Sequence, residues 1–365
     1  DITVPKKYQV VANGILFNEA TLPQDRHRYQ GKTTKDIPTK VMVFGAAEFA
    51  VQEAGFAQDI PVTTWVYSER KDDGFLDFSI APKILSFFIE KFGEYPYEKL
   101  ANVQSTTRYG GMENAGAIFY YESSVTGKQQ HETLIAHEIA HQWFGNAVSE
   151  MDWPHVWLSE GFATYLTDLY VRETKGQAVF IENMKTKRKN ILAYAKTSSK
   201  PVVYENPDKV TDLLNTNSYQ KGAFVLHMLR NEIGDTHFWM GLNAFYQRYK
   251  HGNASTNDFK RVMASISGKN LDVFFNQWLF KHGQPKLKTF WIYHDNKVRL
   301  TLDQLQDQVF EFPLDIALIH KDGTKEIETI MVRHKSLPYV IESTGDVIDI
   351  VLDPNCKLLF ETETK

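Results

Sequence analysis

The stretch from residue 137 to residue 160 constrains this chain more than any other part of the sequence. It begins with His137 and His141, four residues apart, and Glu160 follows after a gap of eighteen residues. Histidines four apart on a helix project from one face, so both imidazoles can bind one metal ion. Eighteen residues are enough for that helix to end, for a loop to follow, and for a second helix to bring a carboxylate back to the two histidines. The spacing therefore predicts two helices that share a metal site.

Two imidazoles and one carboxylate are the ligand set of a catalytic zinc site rather than a structural one. Three protein ligands leave a fourth position open for water, whereas structural sites fill all four positions. Glu138 directly follows the first ligand and is placed to accept a proton from that water. We therefore predict one Zn²⁺ per chain, bound by His137, His141 and Glu160, with Glu138 as the general base. Because a bare HExxH occurs by chance in roughly one such chain in a hundred, the surrounding motifs also matter.

Two further motifs flank this stretch. Gly-Gly-Met-Glu-Asn lies upstream at 110–114, and Tyr-Gln-Lys-Gly lies downstream at 219–222. With HExxH and the Trp-Leu-Ser-Glu-Gly sequence at 157–161, they follow the order of motifs in the aminopeptidase N family of zinc metallopeptidases, the gluzincins. The chain resembles this family from about residue 68 to residue 283. The resemblance implies a thermolysin-like, mostly α-helical catalytic domain that hydrolyses peptide bonds.

The resemblance also implies a role for each motif residue. Water activated by zinc would attack the peptide carbonyl, Glu138 would take its proton, and Tyr219 would stabilise the resulting oxyanion. A phenol suits this role because it donates a hydrogen bond without bringing a competing charge. The upstream motif would bind the substrate through Gly110, Gly111, Met112, Glu113 and Asn114.

Glu113 is the residue that favours an exopeptidase. The free α-amine of a peptide is a cation at neutral pH, and a carboxylate in the cleft would pair with it and position the first peptide bond over zinc. Gly110 and Gly111 allow close approach of backbones, so we expect this motif to pair with the substrate as an edge strand. Without the resemblance, a glycine-rich turn with a solvated Glu113 would be the more ordinary interpretation.

The leading prediction is a zinc-dependent aminopeptidase that removes amino-terminal residues from peptides. Two alternatives stay open. A thermolysin-like endopeptidase would cleave peptides whose amine is blocked. A catalytically impaired fragment, or a binding module that only retains the fold, would hydrolyse neither kind of substrate, although intact Glu138 and Tyr219 argue against it.

The sequence departs from the family pattern at two positions. The family usually has an acidic residue seven positions after the third ligand, where this chain has Thr167 followed by Asp168. Groups around the ligands orient them and tune metal affinity. Either Thr167 replaces that carboxylate as a weaker partner of the metal ligands, or Asp168 reaches the same region from a rotated position. The second departure is Ser159, where asparagine is common.

Composition narrows the functional classes. The chain has 365 residues, of which 42% are apolar and 24% charged, and a net charge of −4. These values are typical of soluble proteins with two or three domains and give no electrostatic reason to expect nucleic-acid binding. No apolar stretch approaches the roughly 18 residues of a membrane span. The single Cys356 excludes an intramolecular disulfide and fits a cytoplasmic, secreted or periplasmic protein equally, so compartment and oligomeric state stay open.

We expect an α+β multidomain fold with three parts. Residues 1–67 contain short strand-like runs and resemble the last part of the family's amino-terminal β-domain. Residues 68–284 show helical periodicity and would form the thermolysin-like zinc peptidase domain. Residues 285–365 alternate with period two and predict a small β-sandwich. The front of the first domain and the helical domain that usually follows the sandwich have no counterpart here, so the resemblance implies a fragment or a shortened member of the family.

Local patterns also give element boundaries. Strands are predicted at 8–11, 40–44 and 62–67 in the first part. Helices are predicted in the second part at 82–92, 130–145, 156–174, 177–195, 218–233, 237–250, 256–267 and 270–281.

Overall fold

A computed structural model describes residues 1–363 of the chain. Seven short strands come first, because this part is rich in alternating apolar residues and interrupted by polar turns. The strands are β1 (Ile2–Pro5), β2 (Gln9–Ala12), β3 (Ile15–Leu22), β4 (Arg26–Lys32), β5 (Phe44–Ala47), β6 (Phe49–Ala57) and β7 (Ile60–Tyr67). β1, β4 and β3 form one antiparallel sheet, and β2 pairs with β5.

Helices dominate the middle of the chain, with five short strands among them. Two turns of π-helix, Asn217–Lys221 and Asn276–Phe280, interrupt the helical pattern. The elements are α1 (Lys71–Phe78), α2 (Ala81–Phe92), β8 (Leu100–Ser105), β9 (Gly111–Met112), β10 (Ala117–Tyr121), α3 (Glu132–Ala140), β11 (Val148–Glu150), α4 (Trp157–Lys175), α5 (Gln177–Ala195), α6 (Gly222–Ile233), α7 (Asp235–Tyr249), β12 (Gly252–Ala254), α8 (Thr256–Ser267) and α9 (Asp272–Phe275).

A mixed five-stranded sheet supports the helices, in the order β6-β7-β8-β10-β9. The three central strands are parallel, and the two outer strands run antiparallel to their neighbours. Side chains alternate between the two faces: Leu100 and Ile118 pack into the helical core, whereas Val103 and Phe119 pack on the opposite face with Val11. Both faces are therefore buried, and the short strand β9 is left at one edge.

Strand pairing crosses the predicted boundary at residue 67. β6 and β7 belong to the first predicted part, and β7 ends at Tyr67, yet β7 pairs with β8 from the helical part. The division into 1–67, 68–284 and 285–365 stays a prediction, and its last two residues lie outside the described range.

The last part of the chain is β-structure in two sheets. The strands are β13 (Lys286–His294), β14 (Lys297–Gln304), β15 (Phe312–His320), β16 (Lys325–Val332), β17 (Ser336–Glu342), β18 (Val347–Leu352) and β19 (Glu361–Thr362). One sheet has the order β17-β14-β13-β19 and the other β16-β15-β18. Buried residues of both sheets, including Leu300 and Ile316, belong to the same core cluster. Trp278 of the helical part packs against Phe310 of this part, with the two rings tilted by 45°.

The predicted α+β multidomain fold class is confirmed. The strand predicted at 40–44 is wrong: Thr39–Val41 form a 3₁₀ turn in which Val41 N donates to Pro38 O, and β5 begins at Phe44. Proline fixes its own backbone for a turn, and this overrides the apolar pattern. In the described part of the chain, residues 1–363, no helix combines the length and apolar character needed to cross a bilayer.

Candidate metal centre and active-site cleft

His137, His141 and Glu160 come together where α3 ends and α4 begins. The two Nε2 atoms lie 3.0 Å apart, and Glu160 Oε2 lies 3.5 Å from His137 Nε2 and 3.3 Å from His141 Nε2. His141 N donates to His137 O, so the helical geometry continues through the second histidine although the α-helix ends at Ala140. The spacing in the sequence thus produces one convergent set of three donor atoms.

The residues of this cluster fit a divalent metal ion. Tetrahedral ligands about 2.0–2.2 Å from zinc lie roughly 3.3 Å from one another, close to the separations between these three atoms. Glu160 Oε2 is buried next to the two imidazoles, and burying a carboxylate is costly unless a positive charge compensates it. Burial alone would raise the pKa of Glu160, but the two imidazoles outweigh it and hold that pKa far below its usual value. Burial lowers the pKa of His137, which favours the neutral imidazole that metals bind. At His141 the charges of Glu160 and Glu113 outweigh burial and raise the pKa to about 9, so a metal ion would displace a proton there.

Glu138 lies beside this cluster with its carboxylate buried. It is 4% exposed, and burial, reinforced by the charges of Glu113 and Glu160 against the opposing effect of His141, raises its pKa to about 8. Gly111 leaves the space that this carboxylate occupies, since a Cβ at residue 111 would overlap it. A buried carboxylate next to a metal site is a group that can accept and return a proton.

Ser159 and the backbone of Phe144 orient the second histidine. Ser159 Oγ lies 3.1 Å and Phe144 O 3.3 Å from His141 Nδ1, so the other ring nitrogen faces the metal site. A Cβ at Gly145, which has φ of +120°, would collide with the Ser159 hydroxyl. Sequence reasoning missed this orienting role, although the position of Ser159 directly before Glu160 could have indicated it.

Thr167 and Asp168 make their hydrogen bonds away from the histidines. Thr167 Oγ1 donates to Ala163 O of its own helix at 2.8 Å, and Asp168 Oδ1 accepts from Lys187 Nζ at 2.8 Å. Among the described residues, neither Thr167 nor Asp168 forms a hydrogen bond to His137 or His141, so neither of the two alternatives is observed in that form.

Tyr219 lies on the turn of π-helix Asn217–Lys221, and its ring stacks parallel to that of His137 at 6.2 Å between centroids. Turns of π-helix are rare and often found at functional sites. Burial and the neighbouring carboxylates raise the pKa of Tyr219, so its hydroxyl stays protonated and can donate a hydrogen bond.

Two glycines bring this turn against α4. A Cβ at Gly161 would lie 3.0 Å from Gly222 Cα and 3.1 Å from Ser218 O. Only glycine at both positions allows the backbones to approach this closely. Lys221 Nζ donates to Gly283 O at 3.0 Å and secures the turn from its other side. Glu160 and Tyr219 are therefore held in fixed relative positions by backbone contact.

The upstream motif forms the edge strand β9 and the turn after it. Met112 pairs with Phe119 of β10, and the other edge of β9 has no partner strand among the described residues. Glu113 O accepts from Gln142 Nε2 at 2.9 Å and from Asn146 Nδ2 at 2.6 Å, which attaches the motif to the residues that follow α3. Sequence reasoning missed these two amides because nothing local marks a contact across about thirty residues.

All predicted site residues except one line a single cleft of about 550 Å³. The exception is Asn114, which is 4% exposed and buried outside this cleft. Side chains without any motif complete the walls, and most of them are apolar: Lys40, Tyr109, Leu134, Trp153, Val156, Val210, Thr211 and Leu214.

The peptidase family M1 domain matches residues 76–278 of the chain. The chain belongs to peptidase family M1. The resemblance to aminopeptidase N-like enzymes that the four motifs indicated is thereby confirmed. M1 members are metallopeptidases, which agrees with a cluster that can hold a metal.

Curated relatives of this M1 chain are longer proteins. The alanine/arginine aminopeptidase of Saccharomyces cerevisiae is 29% identical over 358 residues, which cover 91% of this chain and 41% of the relative. The glutamyl aminopeptidase of Bos taurus is 27% identical over 363 residues, which cover 93% of this chain and 38% of the relative. The chain thus spans about two fifths of the length of the relatives it matches.

A solved structure shares the fold of this M1 chain. It is that of Legionella pneumophila aminopeptidase A in complex with aspartic acid, with a TM-score of 0.87 and 16% sequence identity. The similarity covers 100% of this chain and 44% of that structure. At this identity the likeness establishes the common fold.

Proposed function

We propose that the chain is a zinc-dependent aminopeptidase that removes amino-terminal residues from peptides. One observation carries this proposal: Glu113 lines the same cleft as the cluster of His137, His141 and Glu160. A metal site alone would suit any hydrolase of this kind. A carboxylate in the same cleft, directly after an edge strand, suits a substrate that ends in a cationic amine.

Zinc is the metal that this ligand set favours, because two imidazoles and one carboxylate are typical of catalytic zinc sites. A zinc ion held there would polarise the scissile carbonyl and lower the pKa of the attacking water. Glu138 takes a proton from that water while the water oxygen attacks the carbonyl carbon. Glu138 then passes the proton to the departing amine nitrogen when the C–N bond breaks. In the metal-free chain burial raises the pKa of Glu138, so this carboxylate takes up a proton more readily than an exposed one, as a group that accepts and then returns a proton requires.

Tyr219 and Glu113 would bind two different groups of the substrate, the reacting carbonyl and the α-amine. The Tyr219 hydroxyl donates a hydrogen bond to the carbonyl oxygen as negative charge develops on it. Glu113 pairs with the α-amine, and the open edge of β9 binds the substrate backbone in an extended conformation. An internal peptide segment has no cation for Glu113, so its carboxylate would be left unpaired and such substrates would bind poorly.

The test is hydrolysis of aminoacyl p-nitroanilides by the zinc-loaded chain, with amine-acetylated versions of the same compounds and the Glu113→Gln variant. We expect turnover of free-amine substrates only, and a rise in KM for the variant because the amine loses its counter-charge. Cleavage of the acetylated compounds would support the endopeptidase alternative. No turnover with one zinc bound per chain would support a catalytically impaired form.

Metal binding is expected to stabilise the fold. At a free zinc concentration a hundred times Kd, the free energy of unfolding should rise by about 2.7 kcal/mol, because the cluster exists only in the folded chain. The measurement is calorimetric unfolding with and without zinc, together with metal content by mass spectrometry. His141→Ala should abolish the shift, whereas His131→Ala, at the residue before α3, should keep it. A shift that survives in His141→Ala would contradict the assigned ligands.

Gly111→Ala should damage catalysis more than Gly110→Ala. The new Cβ at 111 overlaps the Glu138 carboxylate, whereas the one at 110 meets only Leu134 at an ordinary 3.7 Å. Displacing a catalytic group by about 1 Å can cost roughly a hundredfold in rate, so we expect a loss of that order in kcat for Gly111→Ala. Steady-state kinetics at equal metal content would measure it, and equal losses in the two variants would contradict the steric explanation.

A further inference from the structure

Lys40 is the only lysine or arginine that lines the active-site cleft within residues 1–363. The other ionisable groups on the walls include the carboxylates of Glu113, Glu138 and Glu160. The first part of the chain contributes Lys40, whereas motifs of the second part contribute those carboxylates. No motif accounts for a cation at this position.

An ion pair with Glu150 holds Lys40 in place. Lys40 Nζ lies 2.5 Å from Glu150 Oε1 and 2.6 Å from Oε2, across a separation of 110 residues. The side chain of Glu150 is 5% exposed and that of Lys40 is 22% exposed. Glu150 does not line the cleft. The pair therefore turns its cationic end toward the cleft and keeps its anionic end buried in β11.

The backbone that carries Lys40 is fixed to the substrate motif. Val41 O accepts hydrogen bonds from Ala115 N at 3.2 Å and from Asn13 Nδ2 at 3.1 Å. The Asn13 amide also donates to Ala115 O at 2.7 Å. Lys40 thus has a set position relative to β9 and to Glu113, which lies two residues before Ala115.

The ammonium of Lys40 retains a donor for a ligand. An ammonium has three N–H groups, and the two oxygens of Glu150 accept two of them. We propose that Lys40 is a specificity-determining residue that binds a carboxylate of the substrate. This inference rests on the proposed aminopeptidase function. A substrate with an acidic first residue carries a cationic amine and an anionic side chain, and the cleft offers Glu113 and Lys40 as the matching pair of charges.

Two substrate carboxylates have the required chemistry: the side chain of an acidic first residue and the free carboxyl terminus of a dipeptide. Comparing glutamyl with glutaminyl p-nitroanilide isolates the first source, because the two compounds have the same shape. Comparing leucyl-leucine with leucyl-leucine amide isolates the second. For each pair, the measured quantity is the ratio of kcat/KM for the charged compound to that for the neutral one.

Three variants test the assignment. Lys40→Met combined with Glu150→Met removes both charges and should lower the ratio for one substrate pair by roughly tenfold, as expected for a lost charge-assisted hydrogen bond. Glu150→Gln removes the competing charge from the Lys40 ammonium and should raise that ratio. The control is Lys187→Met combined with Asp168→Leu, since this pair has a similar 2.8 Å contact and exposures of 18% and 4% but lies outside the cleft. It should leave both ratios unchanged.

A purely structural Lys40 would slow charged and neutral substrates equally, so unchanged ratios in both cleft variants would overturn the proposal. If the zinc-loaded chain hydrolyses none of the compounds, the aminopeptidase proposal fails separately. Lys40 is then judged by calorimetric Kd values for the α-hydroxamates of glutamate and glutamine. A glutamate preference that falls in the double variant supports the carboxylate site, and a preference that does not change overturns it.

Discussion

Glu138→Gln is expected to abolish nearly all hydrolysis while the metal stays bound. Positioned general acid–base groups typically contribute 10²–10⁴-fold to rate, and we expect kcat to fall by a factor in that range. Glutamine keeps the shape of the side chain but cannot take a proton from water. His137, His141 and Glu160 are unchanged, so the zinc content measured by mass spectrometry should be the same as in the wild type.

The same substitution should not destabilise the fold. Burial raises the pKa of Glu138 to about 8, which means that the folded state holds this proton more tightly than the unfolded state. Ionisation of Glu138 therefore costs stability increasingly as pH rises toward 8, and a neutral glutamine avoids that cost. Calorimetry of the metal-free proteins at pH 8 should show an unfolding temperature for the variant equal to or above that of the wild type.

A matched control separates chemistry from charge. Glu132→Gln makes the same chemical change on the same helix, but Glu132 bonds Tyr170 and Lys175 outside the cleft. We expect this variant to lose a little stability and to keep its kcat. A Glu138→Gln enzyme with full zinc content and more than a tenth of the wild-type kcat would exclude Glu138 as the general base.

The metal cluster could be predicted from sequence because its geometry is nearly local. Residues four apart, such as His137 and His141, lie on one face of any helix. Glu160 needed only a second helix that leads the chain back to that face. The walls of the cleft could not be predicted in this way. Lys40 and Glu150 meet across 110 residues, and no periodicity within a strand or helix encodes such a contact.

Local secondary-structure propensity also gave wrong predictions where hydrogen bonds to residues distant in sequence determine the backbone conformation. The apolar run around Val41 suggested a strand, but Pro38 starts a turn there, and Val41 O bonds Asn13 and Ala115 instead of a strand partner. Helix α6 was predicted to begin at residue 218, whereas Asn217–Lys221 form a turn of π-helix. The close contact of Gly161 with Gly222 brings that turn against α4, so a tertiary contact accompanies the change in local geometry.

Removing the hydroxyl of Tyr219, which lies on that turn, is expected to have the second large effect on catalysis. Tyr219→Phe is expected to lower kcat by roughly 10²–10³-fold, the usual loss when one oxyanion donor is removed. The phenyl ring can keep its parallel stacking on His137, which places the centroids 6.2 Å apart in the wild type. Only the hydrogen bond to the developing oxyanion is lost, so KM should change little. Steady-state kinetics on a free-amine anilide would measure both constants.

The control for Tyr219→Phe removes a different buried hydroxyl. Tyr170 OH donates to Glu132 Oε1 at 2.7 Å, away from the cleft, so Tyr170→Phe should lower the free energy of unfolding by about 1 kcal/mol and leave kcat near the wild-type value. A role of Tyr219 in packing alone predicts the same pattern for both variants. A role in substrate binding predicts a raised KM with kcat preserved. Because an oxyanion exists only after water has attacked, a selective loss of kcat is the result that separates stabilisation of the transition state from both.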